Sequence, residues 1–184
     1  MEDNPALQKN AESDSGIHTL FSVSGRNQLE LIAIADNKAN MITAICVALI
    51  FLNIGLFSSG FSLEGSPILD RVEFVLPMGI LLAFCSVSAI CSILALKPKI
   101  VRSKNQKKSV LFFHNFYRMT LDDYKAKMRE LMKSKDNIYE HMITNMYYNG
   151  LVLERKYALL GLSYSIFLSA IVLSITAYVI ATVI

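Results

Sequence analysis

The chain has 184 residues, 53% of them hydrophobic and 18% charged, with a formal net charge of +3. Soluble domains carry nearer a quarter of charged residues, so this balance excludes an ordinary soluble domain. The apolar excess is gathered into blocks, and blocks of that length belong in a bilayer.

The N-terminal stretch, residues 1–24, is small, polar and turn-rich. It reads as a flexible cytoplasmic tail, and it lacks the basic start and early apolar run of a signal peptide. Ser24 or Asn27, with Glu30 three residues after Asn27, offers a cap for the first helix. Leu29, Ile32, Ala33, Ala35 and Asp36 then recur at helical spacing. From residue 39 to residue 57 there is no Asp, Glu, Lys, Arg or His. That length matches the roughly 20 residues a helix needs to cross a bilayer core. The first span is therefore placed at about 39–58, entered through Asp36, Asn37, Lys38 and Asn40. Gly55, Ser58, Ser59 and Gly60 end it, Gly65 and Pro67 turn the chain, and Asp70, Arg71 and Glu73 mark the far headgroup level.

A second uncharged run covers residues 74–96, with Pro77 near its start and Ser86, Ser88 and Ser92 within it. Lys97, Pro98 and Lys99 close it. The loop at 102–108 is basic and suited to anionic lipid. The aromatic run at 110–117 is too short to span and is expected at the interface. Thr120 and Asp123 have capping-box spacing and predict a helix to about residue 135. A last helix is predicted from about Asp136, running unbroken through Gly150 into a third span at 157–183. The predicted fold is thus all-α: an integral membrane protein of one helical domain, residues 25–184, with three spans and long first and last helices. Residues 97–156 form its cytoplasmic helical region.

Of the 18 lysines and arginines, 14 lie in residues 97–156, and the loop between the first two spans has one. The positive-inside rule places the central region and the N-terminus in the cytoplasm and the C-terminus on the far side. Cys46, Cys85 and Cys91 lie inside spans and read as packing residues. Small residues recur at four-residue spacing along Gly161, Ser165 and Ser169, and again along Asn40, Ala44 and Ala48. Close helix approach in lipid needs such lines, and part of this surface is expected to serve self-association. Asn53 is either pore-facing or, preferably, an interhelical hydrogen-bond former.

No catalytic group emerges. His18, His114 and His141 have no ligand partner at useful spacing, and no phosphate-binding loop or dinucleotide glycine pattern is present. An enzyme is not expected, nor a metal, nor a DNA or RNA partner. The informative residues are the boundary charges. Asp36 and Lys38 precede one span, and Arg155 and Lys156 precede another at the same expected depth. One reading is an ion-pair girdle that fixes helix depth. The other is an anion site, in which the cations take a phosphate. Asn37, Asn40 or Asn115 would then read a base edge, and Phe116, Tyr124, Tyr147 or Tyr157 would stack on it.

Taken together, several stretches resemble a known family. They are Leu31-Ile-x-x-Ala-Asp36-x-Lys38-Ala39 before the first span, Ala95-x-x-Pro98 after the second, Leu111-Phe-Phe with Asn115-Phe116, and Leu121-Asp-Asp-Tyr124. A further stretch runs from Ile138-Tyr139 to Asn145-Met-Tyr147-x-x-Gly150-x-Val152-Leu-x-Arg155-Lys156-Tyr157. In this order they resemble the membrane effectors of Pycsar antiphage systems over about residues 25–170. The resemblance implies a bacterial inner-membrane protein held silent until a partner cyclase makes cyclic CMP or cyclic UMP during infection. It would then impair the membrane and halt the cell before phage mature. It implies no catalytic residues and no cofactor other than that nucleotide ligand. Asp36, Lys38, Arg155, Lys156 and Tyr157 match the family pattern, and their contact with ligand is our own expectation.

Overall fold

The computed structural model describes residues 5–59, 62–63, 66–67, 72–97 and 119–183. Four helices are present among them: α1 (Pro5–Ser58), α2 (Val72–Leu96), α3 (Leu121–Leu131) and α4 (Lys135–Val183). A two-residue antiparallel ladder pairs Ser62–Leu63 with Ser66–Pro67 in the turn region between α1 and α2. Among the described residues the chain is all-α apart from that ladder. α1, α2 and α4 are each long and apolar enough to cross a membrane.

α1 begins at Pro5, well upstream of the predicted caps, so Ser24 and Asn27 lie in a helix interior. Proline suits a first helical position because its fixed backbone angle is already helical. Beyond it, extension is cheap once downstream turns have nucleated the helix. Thr19 also returns its hydroxyl to the Ser15 carbonyl at 2.9 Å. At the far end the Ser59 amide bonds the Gly55 carbonyl at 3.0 Å.

α3 starts at the predicted cap. Thr120 Oγ1 accepts the Asp123 amide at 3.2 Å and donates to Asp123 Oδ2 at 2.8 Å. α4 runs unbroken over 49 residues, as expected, with Gly150 inside it. The basic loop, the aromatic run, Pro98, Asn115, Gly60, Gly65, Asp70 and Arg71 lie outside the described residues.

Backbone contacts gather the chain into two compact units. The first holds residues 1–33 and 99–154. Within it Phe21 stacks on Tyr139 with ring centroids 5.8 Å apart, and Gln28 Nε2 donates to the Met146 carbonyl at 3.1 Å. Leu131 is its buried apolar residue on α3.

The second unit holds residues 34–98 and 155–184. Its core is made mostly of small side chains: Ala35, Ala39 and Cys46 with Ile42 from α1, Cys85, Ser88, Ala89, Ser92 and Ala95 from α2, and Ser163 and Ala170 with Leu160 from α4. On α1 these recur at alternating steps of four and three, as do Leu160, Ser163, Phe167 and Ala170 on α4. This is the seam periodicity of helices that wind about one another. Cys46, Cys85 and Cys91 are free thiols, and the first two pack in the core as expected.

Hydroxyls lock this seam. Ser88 Oγ donates to the Ser163 carbonyl at 2.8 Å, and Ser163 Oγ donates to the Ser88 carbonyl at 2.9 Å. Ser92 Oγ donates to the Ala39 carbonyl at 2.6 Å. Buried serines in lipid must find such partners, because no water competes for them.

Candidate functional site

At the start of the second unit α1 and α4 present one small, mixed cluster. Ala35, Ala39 and Leu160 are its buried apolar residues, with Leu96 and Tyr157 packed against them. The two alanines stand one turn apart on α1 and leave room on that face for a neighbouring helix. On this apolar ground Lys156 Nζ donates to Asp36 Oδ1 in a short ion pair. Among the described residues Lys156 is the one buried charged residue.

The two partners are unequal. The Lys156 side chain retains 11% of its exposure, while that of Asp36 retains 38%. An exposed pair is worth about 0–1 kcal/mol, and removing one partner of a fully buried pair costs about 3–5 kcal/mol. This pair is half open and falls between those limits. The weight of the pairing rests on Lys156, which has lost its water, more than on Asp36, which keeps some.

The remaining candidates are dispersed. Lys38, Asn40 and Arg155 are exposed and make no contact with the pair among the described interactions. Tyr157 is half-buried against the same cluster as Lys156. Tyr124 and Tyr147 belong to the first unit. Tyr147 is exposed and meets Tyr148 edge-on at 5.4 Å, and Tyr124 is half-buried. Asn115 lies outside the described residues. Asn37 is exposed and Phe116 lies outside the described residues, so of the candidate contacts the structure brings Asp36, Lys156 and Tyr157 to one cluster.

Asn53 is 5% exposed, but its bond is not interhelical. Its Nδ2 donates to the Leu49 carbonyl of its own helix at 2.8 Å, and its Oδ1 has no partner among the described residues. Gly161, Ser165 and Ser169 face outward, and each serine returns its hydroxyl to the carbonyl four residues before it. The residues that close the seam are Ser88, Ser92 and Ser163. Two of them sit four apart in an uncharged span, a signal that marked the face of α2 without naming its partner. No cluster of His, Cys, Asp and Glu among the described residues could hold a metal ion.

Set against known proteins, residues 20–183 match the model of the Pycsar effector protein domain. No curated protein and no solved structure matches the chain.

Proposed function

The chain belongs to the Pycsar effector family, and from that premise we propose that it is a cyclic-nucleotide-activated transmembrane effector of antiphage defence. A partner cyclase supplies cyclic CMP or cyclic UMP, and the protein acts without catalysis. On binding, copies of the chain in the bacterial inner membrane impair its integrity, and the infected cell stops growing. The N-terminus and the basic central region face the cytoplasm, where that nucleotide is made, and the C-terminus faces outward.

The observation that carries this reading is the buried Lys156 paired to Asp36 beside the uncharged parts of two candidate spans. A cation set at that level gives a nucleotide phosphate a partner on the helices themselves. Ligand binding can shift a two-state bundle only by its difference in affinity between the states, and a contact joining α1 to α4 supplies such a difference.

The test is nucleotide binding to the detergent-solubilised protein, read by thermal shift over a panel of cyclic mono- and dinucleotides. A ligand at 100 times its dissociation constant stabilises by about 2.7 kcal/mol. One selective nucleotide supports the proposal and names the messenger, and no shift across the panel removes it. In cells, Lys38→Ala or Lys156→Ala is expected to abolish nucleotide-dependent killing at normal expression. Unchanged killing in both variants excludes the boundary as the ligand site. The direct ion pair also suits a second reading, a constitutive scaffold tied together by structural charges. Nucleotide-dependent depolarisation of the membrane separates the two.

A further inference from the structure

We infer that Lys156 is a phosphate site whose resident counterion, the Asp36 carboxylate, is exchanged for the incoming anion, so that the pair is both the lock and the place where it opens. The inference rests on the nucleotide-gated reading and deepens it, because it says which contact the ligand breaks.

The asymmetry of the pair carries the argument. Lys156 has 11% of its side chain exposed and sits beside the apolar cluster of Ala35, Ala39 and Leu160. A lysine stripped of water in that setting needs an anion near it at all times. Asp36, at 38% exposed, can leave the contact and be hydrated where it stands. The favoured exchange is therefore one in which Lys156 stays and the anion changes. A phosphodiester monoanion, as in a cyclic nucleotide or a lipid headgroup, offers an ammonium donor the same charge as the carboxylate and, like it, two charged oxygens.

When it enters, the link from α4 to α1 at this level passes from a side chain of α1 to a free molecule. There α1 is then held to α2 by Ser92 Oγ on the Ala39 carbonyl, and to α4 only by the packing of Leu160 and Tyr157 with Ala35 and Ala39. The same chemistry is available from two sources, a soluble nucleotide and the headgroup of an anionic lipid.

Three forms of the full-length protein separate the possibilities. Asp36→Asn keeps the shape and removes the resident anion. Lys156→Met keeps the stem and removes the cation. Asp36→Lys with Lys156→Glu keeps an ion pair but buries the wrong sign for phosphate. Each is reconstituted in vesicles of phosphatidylcholine alone or with phosphatidylglycerol, and dye leakage is followed against cyclic CMP and cyclic UMP. The thermal shift of each with inorganic phosphate is read in detergent.

Without its competitor, Asp36→Asn is expected to leak at about tenfold less nucleotide than the wild type. Lys156→Met and the swapped pair stay silent at every concentration. Leakage of Asp36→Asn without nucleotide, only in phosphatidylglycerol vesicles, identifies the headgroup as the phosphate source. A requirement for nucleotide in both compositions identifies the soluble ligand. Wild-type nucleotide sensitivity in both single variants overturns the exchange and leaves the proposed function standing. If no nucleotide acts on any form but phosphate stabilises Asp36→Asn and not Lys156→Met, the site stands and the nucleotide reading falls. Absence of that phosphate stabilisation, together with unchanged leakage, overturns the inference outright.

Discussion

Ser163 makes a reciprocal contact with Ser88 in which each hydroxyl donates to the other's backbone carbonyl and the two oxygens lie 3.0 Å apart. Both residues are fully buried, so the contact sets how closely α2 and α4 approach. Two consequences follow for substitutions at position 163. Alanine removes one donor and leaves the spacing alone, which in a membrane protein costs about 0.6 kcal/mol and at most about 1.7 kcal/mol. Valine removes the same donor and adds branched bulk where none fits, and overpacking adds about 1–3 kcal/mol. Ser163→Val is thus expected to be clearly the worse of the two in detergent-induced unfolding of the purified protein. Equal losses for the two variants would mean that the seam has slack. Asn53 is the contrast: among the described residues its buried Oδ1 meets no partner, so its polarity does not tighten the bundle as the serines do.

At the level of the elements, α4 stays helical through Gly150 although glycine costs about 1 kcal/mol against alanine in a helix interior. A Cβ built there would meet Gln28 Nε2 at 3.9 Å, an ordinary contact distance. Gly150→Ala is therefore expected to raise the thermal stability of the protein by up to about 1 kcal/mol, with hydrogen exchange slowed around position 150. A fall in stability would mean that the native helix needs flexibility at that turn.

Helix length and the long uncharged runs were legible in the sequence because they depend on local composition alone. The shared depth of Asp36 and Lys156 was legible for the same reason, since both stand where an uncharged run begins. Helix rotation was not. Lipid is as apolar as a protein core, so the outward residues Met41, Ile45, Phe51 and Leu52 are as hydrophobic as the inward ones, and hydrophobic periodicity cannot distinguish the faces. Small residues mark the inward face in lipid, but two small lines ran along α1 and α4 each. The lines through Ala35 and Ala39, and through Ser163 and Ala170, proved to be the buried ones. For the same reason the sequence offered Lys38, Arg155 and Lys156 as equals. The start of α1 was missed because helix propagation past weak formers depends on what is already folded downstream.

On the scale of the whole molecule, the outward line Gly161, Ser165 and Ser169 meets no partner among the described residues: none of them lies within 4 Å of a Cβ built on Gly161, and the serine hydroxyls are satisfied by their own helix. Large apolar residues flank it, with Leu162 at 50%, Leu168 at 63% and Val172 at 55% exposure. Lipid covers such residues without any specific partner, yet a strip of small residues between them lets a second helix approach closely. The two cases differ in what a large side chain does at position 161. Gly161→Leu adds a good helix former in open space, so the protomer is expected to hold or gain stability, by up to about 1 kcal/mol. A helix from a second copy packed on the strip would be pushed away by the same leucine. The expected outcome is unchanged or higher thermal stability of the protomer with loss of the oligomer ladder seen on chemical cross-linking in membranes, and loss of killing with it. A ladder identical to that of the wild type would show that the strip faces lipid, and any assembly contact would then have to lie on another face of the three helices.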